Sequence, residues 1–201
     1  MEERLIGLEK IFHTLDCNIK MLEYISFDLH KETFNLNNNI GLVWVWKSIL
    51  ESQILELYKL NIPDEKFSFR KIYNLLKESK AKINYELFDY LIKKLKLDFD
   101  KNQFDLIRSK YVAHQDLGVP ELKTDLIAVK EFTDNATNLF LFIFSEIKRK
   151  HSEFSNDVLN SFKEIFKRID EYNKVSAYLM VAEMKGEKTI EIGKLGEIIK
   201  K

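Results

Sequence analysis

Leu5, Leu8, Phe12, Leu15, Ile19, Leu22 and Leu29 recur at alternating steps of three and four, with Ser26 in the one missing place. That period draws a single apolar stripe along an α-helix, so the first thirty residues are expected to form one long amphipathic helix. His13 and His30 fall off the stripe and are expected on its solvated side. The cluster Asn37-Asn38-Asn39 breaks and recaps the chain. Beyond it, Ile40 to Leu60 is apolar on nearly every side, the pattern of a central buried helix, and Trp44 and Trp46 are expected in its core packing rather than in an aromatic binding surface. Asn61-Ile62-Pro63-Asp64 reads as a stop and turn, and Ser68 as the cap of a short helix ending near Ser79. Leu87, Phe88, Leu91, Ile92 and Leu95 place another amphipathic segment at about 83–97, followed by a break around Asp98 to Lys101.

Phe104, Ile107, Tyr111 and His114 continue at steps of three, four and three, which puts His114 at the edge of an apolar face just before the turn-forming Leu117-Gly118-Val119-Pro120. Leu126, Val129, Ala136, Leu139, Phe140, Ile143 and Ile147 then mark a long helix from about Leu122 to Lys150. Phe154, Val158, Phe162, Ile165, Ile169, Tyr172 and Leu179 follow heptad-like spacing, so a further long helix is expected to pack on a partner surface and to end at Gly186. The tail, residues 186–201, mixes glycines with the alternation Thr189-Ile190-Glu191-Ile192, and its pattern leaves the structure open. No Gly- or Pro-rich linker divides the chain and no repeat is visible. The expected fold class is all-α: an antiparallel helical bundle over residues 1–150, with a C-terminal helical extension over 151–201 packing on the bundle or on a partner protomer.

Composition narrows the chemistry. A length of 201 residues suits one domain with its own core, and six Gly and two Pro agree with a helical chain of few tight turns. A formal net charge of zero argues against a broad cationic surface, so any contact with RNA must be local. Only five of the 32 basic residues are Arg. Cys17 is the single cysteine, which excludes an intramolecular disulfide and leaves no partners for a structural zinc site; it is expected as a small buried apolar residue. The start, MEERLIGLEK, lacks the apolar core of a signal peptide, and the longest apolar run, Leu139 to Phe144, is too short to span a bilayer. A cytoplasmic protein without a membrane partner is expected.

The candidate chemistry lies in Arg108-Ser109-Lys110-Tyr111-Val112-Ala113-His114. A fixed cation that holds phosphate charge, with an imidazole that moves a proton near neutral pH, is the equipment of metal-free phosphodiester cleavage. On a regular helix two residues six apart differ by about 240° in direction, so Arg108 and His114 share a site only if the helix unwinds near Ala113 or a second protomer completes it. The stretch IRSKYVAHQD resembles the R-x(4 to 6)-H motif of the HEPN superfamily. NIGLVWVWKSILESQILELYKL and NIPDEKFSFRKIYNLLKES resemble the second and third helices of its abortive-infection AbiU-like branch, and the resemblance spans about Asn39 to Lys148.

That resemblance implies a homodimer with two Arg and two His lining a cleft. It implies an endoribonuclease that needs neither metal nor other cofactor and leaves 2′,3′-cyclic phosphate ends on RNA, whether tRNA or mRNA. It also implies the role of toxin in a toxin–antitoxin or phage-defence system, with a protein antitoxin as a further partner. Arg108 and His114 would be catalytic, with Ser109, Lys110, Tyr111 and Asp116 as supporting candidates; Ser109 stands where many members carry Asn, Asp or His. The residues also allow a reading without catalysis, in which Asp105 pairs with Arg108 while His114 caps carbonyls or pairs with Asp116. The chain would then be a catalytically silent helical dimerisation or interaction module, or a HEPN partner modified by a separate nucleotidyltransferase antitoxin. His151, in KRKHSE, is expected in an exposed loop, and neither Ser145 nor Ser109 belongs to a Ser-His-Asp pattern.

Overall fold

Seven helices realise the helical period of the sequence in a computed structural model that describes residues 1–29, 40–108, 126–184, 190–192 and 198–200. They are α1 (Glu2–Glu23), prolonged by a π-helical turn over Tyr24–Asp28, α2 (Ile40–Asn61), α3 (Phe69–Glu78), α4 (Tyr85–Lys101), α5 (Phe104–Ile107), α6 (Leu126–Glu146) and α7 (Asp157–Met184). The fold class is all-α. Among the described residues the exception lies in the tail, where β1 (Ile190–Ile192) pairs antiparallel with β2 (Ile198–Lys200), Ile190 opposite Lys200 and Ile192 opposite Ile198.

α1 runs along α2, α4 packs on α6, and α7 lies against α1. Between them sits one large apolar core, built from Leu8 and Phe12 of α1, Ile54 and Leu57 of α2, Phe99 of α4 and Phe140 of α6, among others. A second, smaller core gathers Tyr24, Ile25, Leu29, Leu42 and Phe166. Local chemistry sets the short helices: Ser68 accepts from the Lys71 N–H at 3.3 Å as the N-cap of α3, and Asn84 accepts from the Leu87 N–H at 3.0 Å as that of α4. Gly7 on α1 leaves room for the Phe67 ring, since a Cβ there would lie 2.1 Å from it and the ring would have to shift.

Sequence expectations change along α1, α2 and α4. The π turn shifts the phase of the first stripe, so Ile25 is buried in the place read as Ser26, and Ser26 instead accepts the Trp46 indole N–H at 3.0 Å. α2 is not buried all round: Val43, Trp44 and Val45 are exposed, and Trp44 is 60% accessible because the start of α2 reaches beyond the large core to the small one. Trp46, packed against both cores, fits the expectation; Trp44 does not. The break expected at Asp98 to Lys101 falls instead at Asn102-Gln103, where Gln103 adopts a left-handed φ of 54°. α4 continues that far because Phe99 is fully buried against Phe104 and Phe132, and the charges around it line the open face.

The chain from Ile147 to Asn156 folds back as a strap over α1. Arg149 bonds Glu2, the backbone N–H and hydroxyl of Ser152 both donate to Glu9, and Lys20 donates to Asn156 at 2.8 Å. His13 meets Phe154 edge-on at 5.1 Å, and His151 packs at 5.6 Å from Phe140 and 5.9 Å from Phe154. Both histidines are half-buried, which corrects the solvated placements expected for them, because the strap lays its own aromatic residue between α1 and α6. His30 and Gly186 lie outside the described residues.

The strap carries an acid-sensitive contact. The Ser152 backbone N–H, ahead of an opposing burial effect and then the Ser152 hydroxyl, holds the Glu9 carboxyl below the usual range. A depressed folded value means that the contribution is present above the unfolded pKa, near 4.3, and is lost as pH falls through the folded one. Glu9→Gln is therefore expected to flatten the fall in urea midpoint between neutral pH and about pH 3.5. Equal pH slopes in mutant and wild type would refute this contribution.

Candidate functional site

The motif segment is anchored at its start. After the left-handed Gln103, α5 makes a single turn whose Phe104 and Ile107 are buried, with the Phe104 ring 5.1 Å from that of Phe132. This turn packs against α2 and α4 and delivers the next residue, Arg108, to the side of α2. The half-buried Arg108 lays its guanidinium over the ring of Tyr58 at 4.7 Å. Its Nε is buried and has no hydrogen-bond partner among the described residues.

Arg70 and Arg149 also lie over rings, those of Tyr73 and Phe144, but three other arginines each meet an acid. Arg70 bonds Asp89, Arg149 bonds Glu2, and Arg168 bonds Glu164. Arg108 has no ion pair among the described residues, and Asp105 is exposed without bonding it, so the pairing that the residues allowed does not form. A guanidinium is never neutral and offers its donors in a planar fork that matches phosphate. The tyrosine ring covers one side of the guanidinium, while the charge stays uncompensated by a described carboxylate.

The rest of the candidate site, Ser109, Lys110, Tyr111, His114 and Asp116, lies outside the described residues, as does the turn at Gly118 and Pro120. Lys101, the other nearby basic residue, is exposed at the end of α4. Tyr58 was missed in the sequence because it is fifty positions from Arg108 and reads there as one more ring on an apolar helix. Among the remaining candidates, Cys17 is half-buried rather than buried, and burial, followed by the charge of Asp16, pushes its thiol upward and away from a reactive thiolate. Ser145 is exposed at the end of α6. Among the described residues no three His, Cys, Asp or Glu side chains gather to hold a metal, and no helix is long and apolar enough to cross a membrane. No family model, curated protein or solved structure matches the chain.

Proposed function

We propose that the chain is a metal-independent endoribonuclease of HEPN type, acting as the toxin of a toxin–antitoxin or phage-defence system. The observation that carries this reading is Arg108 itself. It is stacked on Tyr58, held in place by the buried Phe104 and Ile107, and left without a carboxylate among the described residues. An arginine kept for core stability or surface solubility gains most from a paired acid; one kept for phosphate gains from an ordered, unneutralised fork.

In the proposed reaction His114 takes the proton of a ribose 2′-hydroxyl, the 2′-oxygen bonds to phosphorus, and the bond to the 5′-oxygen breaks. A protonated imidazole supplies that oxygen with its proton, and Arg108 holds the charge that builds on the phosphate. The product is a 2′,3′-cyclic phosphate and a 5′-hydroxyl. Mixed total RNA and tRNA incubated with the chain in excess EDTA should therefore still be cut, with cyclic phosphate found by end-group analysis. Complete loss of cleavage on chelation, restored by Mg²⁺ or Mn²⁺, rejects the mechanism.

The reading needs two copies, and an exposed apolar stripe supports that need. Val158, Ile165, Ile169 and Tyr172 form a stripe along α7 that is 41–72% exposed, beside the face on which Phe166 is buried. Such a contiguous apolar stripe on a helix is the mark of an interface. Light scattering at micromolar concentration should give about twice the 23.9 kDa chain mass, and Ile165→Glu with Ile169→Glu should return it to one. A strictly monomeric wild type removes the composite site. The same stripe favours the second reading, a catalytically silent interaction module, which predicts assembly without cleavage.

A further inference from the structure

A second site stands apart from Arg108. The last turn of α2, the Pro63 turn, the start of α3 and one side of α4 border a half-open cavity of about 460 Å³, within the range of small-molecule sites. Leu60, Phe69, Ile92 and Leu95 form its apolar wall, with Leu60, Phe69 and Leu95 also packed into the large core. The charged groups on the lining are Arg70, Lys93 and Lys96, and no carboxylate is among its described lining residues.

Each of those cations is ion-paired with an acid outside the lining. Asp89 is shared by Arg70 at 2.8 Å and Lys93 at 2.6 Å, and Lys96 meets the exposed Asp100 at 2.7 Å. In these ion pairs the three lining cations share two carboxylates, and the described lining itself carries no acid. Asn61 adds an amide whose nitrogen already donates to the Leu57 carbonyl at 2.8 Å.

We propose that this cavity binds a small amphipathic anion, an alkyl or fused-ring body carrying one carboxylate or sulfonate head, taken as a free monomer. The apolar body enters between Leu60, Phe69 and Ile92, where burial drives binding, and the head stays at the rim between Lys93 and Lys96. The rim cations select charge and the interior selects shape. This goes beyond the ribonuclease reading and shares no residue with it.

The test uses the full chain with decanoate in calorimetry and with anilinonaphthalene sulfonate in fluorescence. Decanoate should bind with a Kd of about 0.1 mM and displace the dye, while decanol and decyltrimethylammonium bind at least about tenfold more weakly. Lys93→Gln with Lys96→Gln, both at the rim, should weaken decanoate about tenfold without changing the helical circular dichroism. Ile92→Trp, which fills the cavity, should abolish binding; if that variant fails to fold, the lysine pair alone decides. Decanol binding as tightly as decanoate, no effect of the lysine pair, or binding to phosphatidylglycerol vesicles but not to free decanoate would each overturn the proposal. RNA cleavage by the lysine pair should match wild type, so failure here leaves the ribonuclease reading intact.

Discussion

Replacing His114 with Ala is expected to slow RNA cleavage by about 10²- to 10⁴-fold, the usual contribution of a positioned acid or base. Arg108→Ala should cost about 10²- to 10³-fold, comparable to the removal of one donor that stabilises transition-state charge. Arg108→Lys should not restore the rate, because a point ammonium cannot form the two parallel bonds of a guanidinium fork. Circular dichroism and dimer mass should stay as in wild type for the Arg108 variants, since that side chain is only half-buried and joins neither apolar core. Tyr58 supplies an internal control. Tyr58→Phe keeps the ring under the guanidinium and should keep the rate, whereas Tyr58→Leu removes the stack and should lower kcat severalfold. Full cleavage by either alanine variant removes the assignment, and intact RNA with wild type across all substrates moves the protein to the interaction-module reading.

The sequence disclosed most where one local rule governs the outcome. Ser68 as a cap, the turn at Pro63 and the stripe of α1 up to Leu22 all follow from hydrogen-bond chemistry or period within a few residues, and all three appear in the structure. Reading failed where a distant element decides. Trp44 has the same apolar surroundings in sequence as Trp46, yet α2 overruns the large core and only Trp46 finds Ser26 beneath it. His151 sits among charges in sequence, and only the folding-back of the strap sets it against Phe140 and Phe144. The charges at Asp98 to Lys101 read as a break because they conceal the one buried position, Phe99. The candidate site follows the same division: its motif was legible as residue types at a spacing, while the stack of Arg108 on Tyr58 depends on α5 docking against α2, which no local pattern announces.

Phe140 is where the strap, α1 and α6 meet, and its removal should be the most damaging single core change. Its ring stacks on Phe12 at 4.4 Å and lies 4.3 Å from Phe144, with His151 at 5.6 Å and Phe154 at 6.3 Å. The side chain is fully buried, so truncation loses transfer energy and leaves a cavity between rigid aromatic neighbours that cannot easily collapse. Phe140→Ala should cost about 3 to 5 kcal/mol, a large share of the roughly 5 to 15 kcal/mol by which domains of this size are stable. Phe140→Leu keeps most of the volume and should cost less than half as much. Leu141→Ala, one position along α6 and exposed, should cost no more than about 1 kcal/mol. Urea midpoints at neutral pH measure all three. A loss for Phe140→Ala no larger than that for Leu141→Ala would mean that these rings do not form a shared core. If they do, loosening the strap should also weaken the hold of Ser152 on Glu9, so the Phe140→Ala variant should show a shallower acid dependence than wild type.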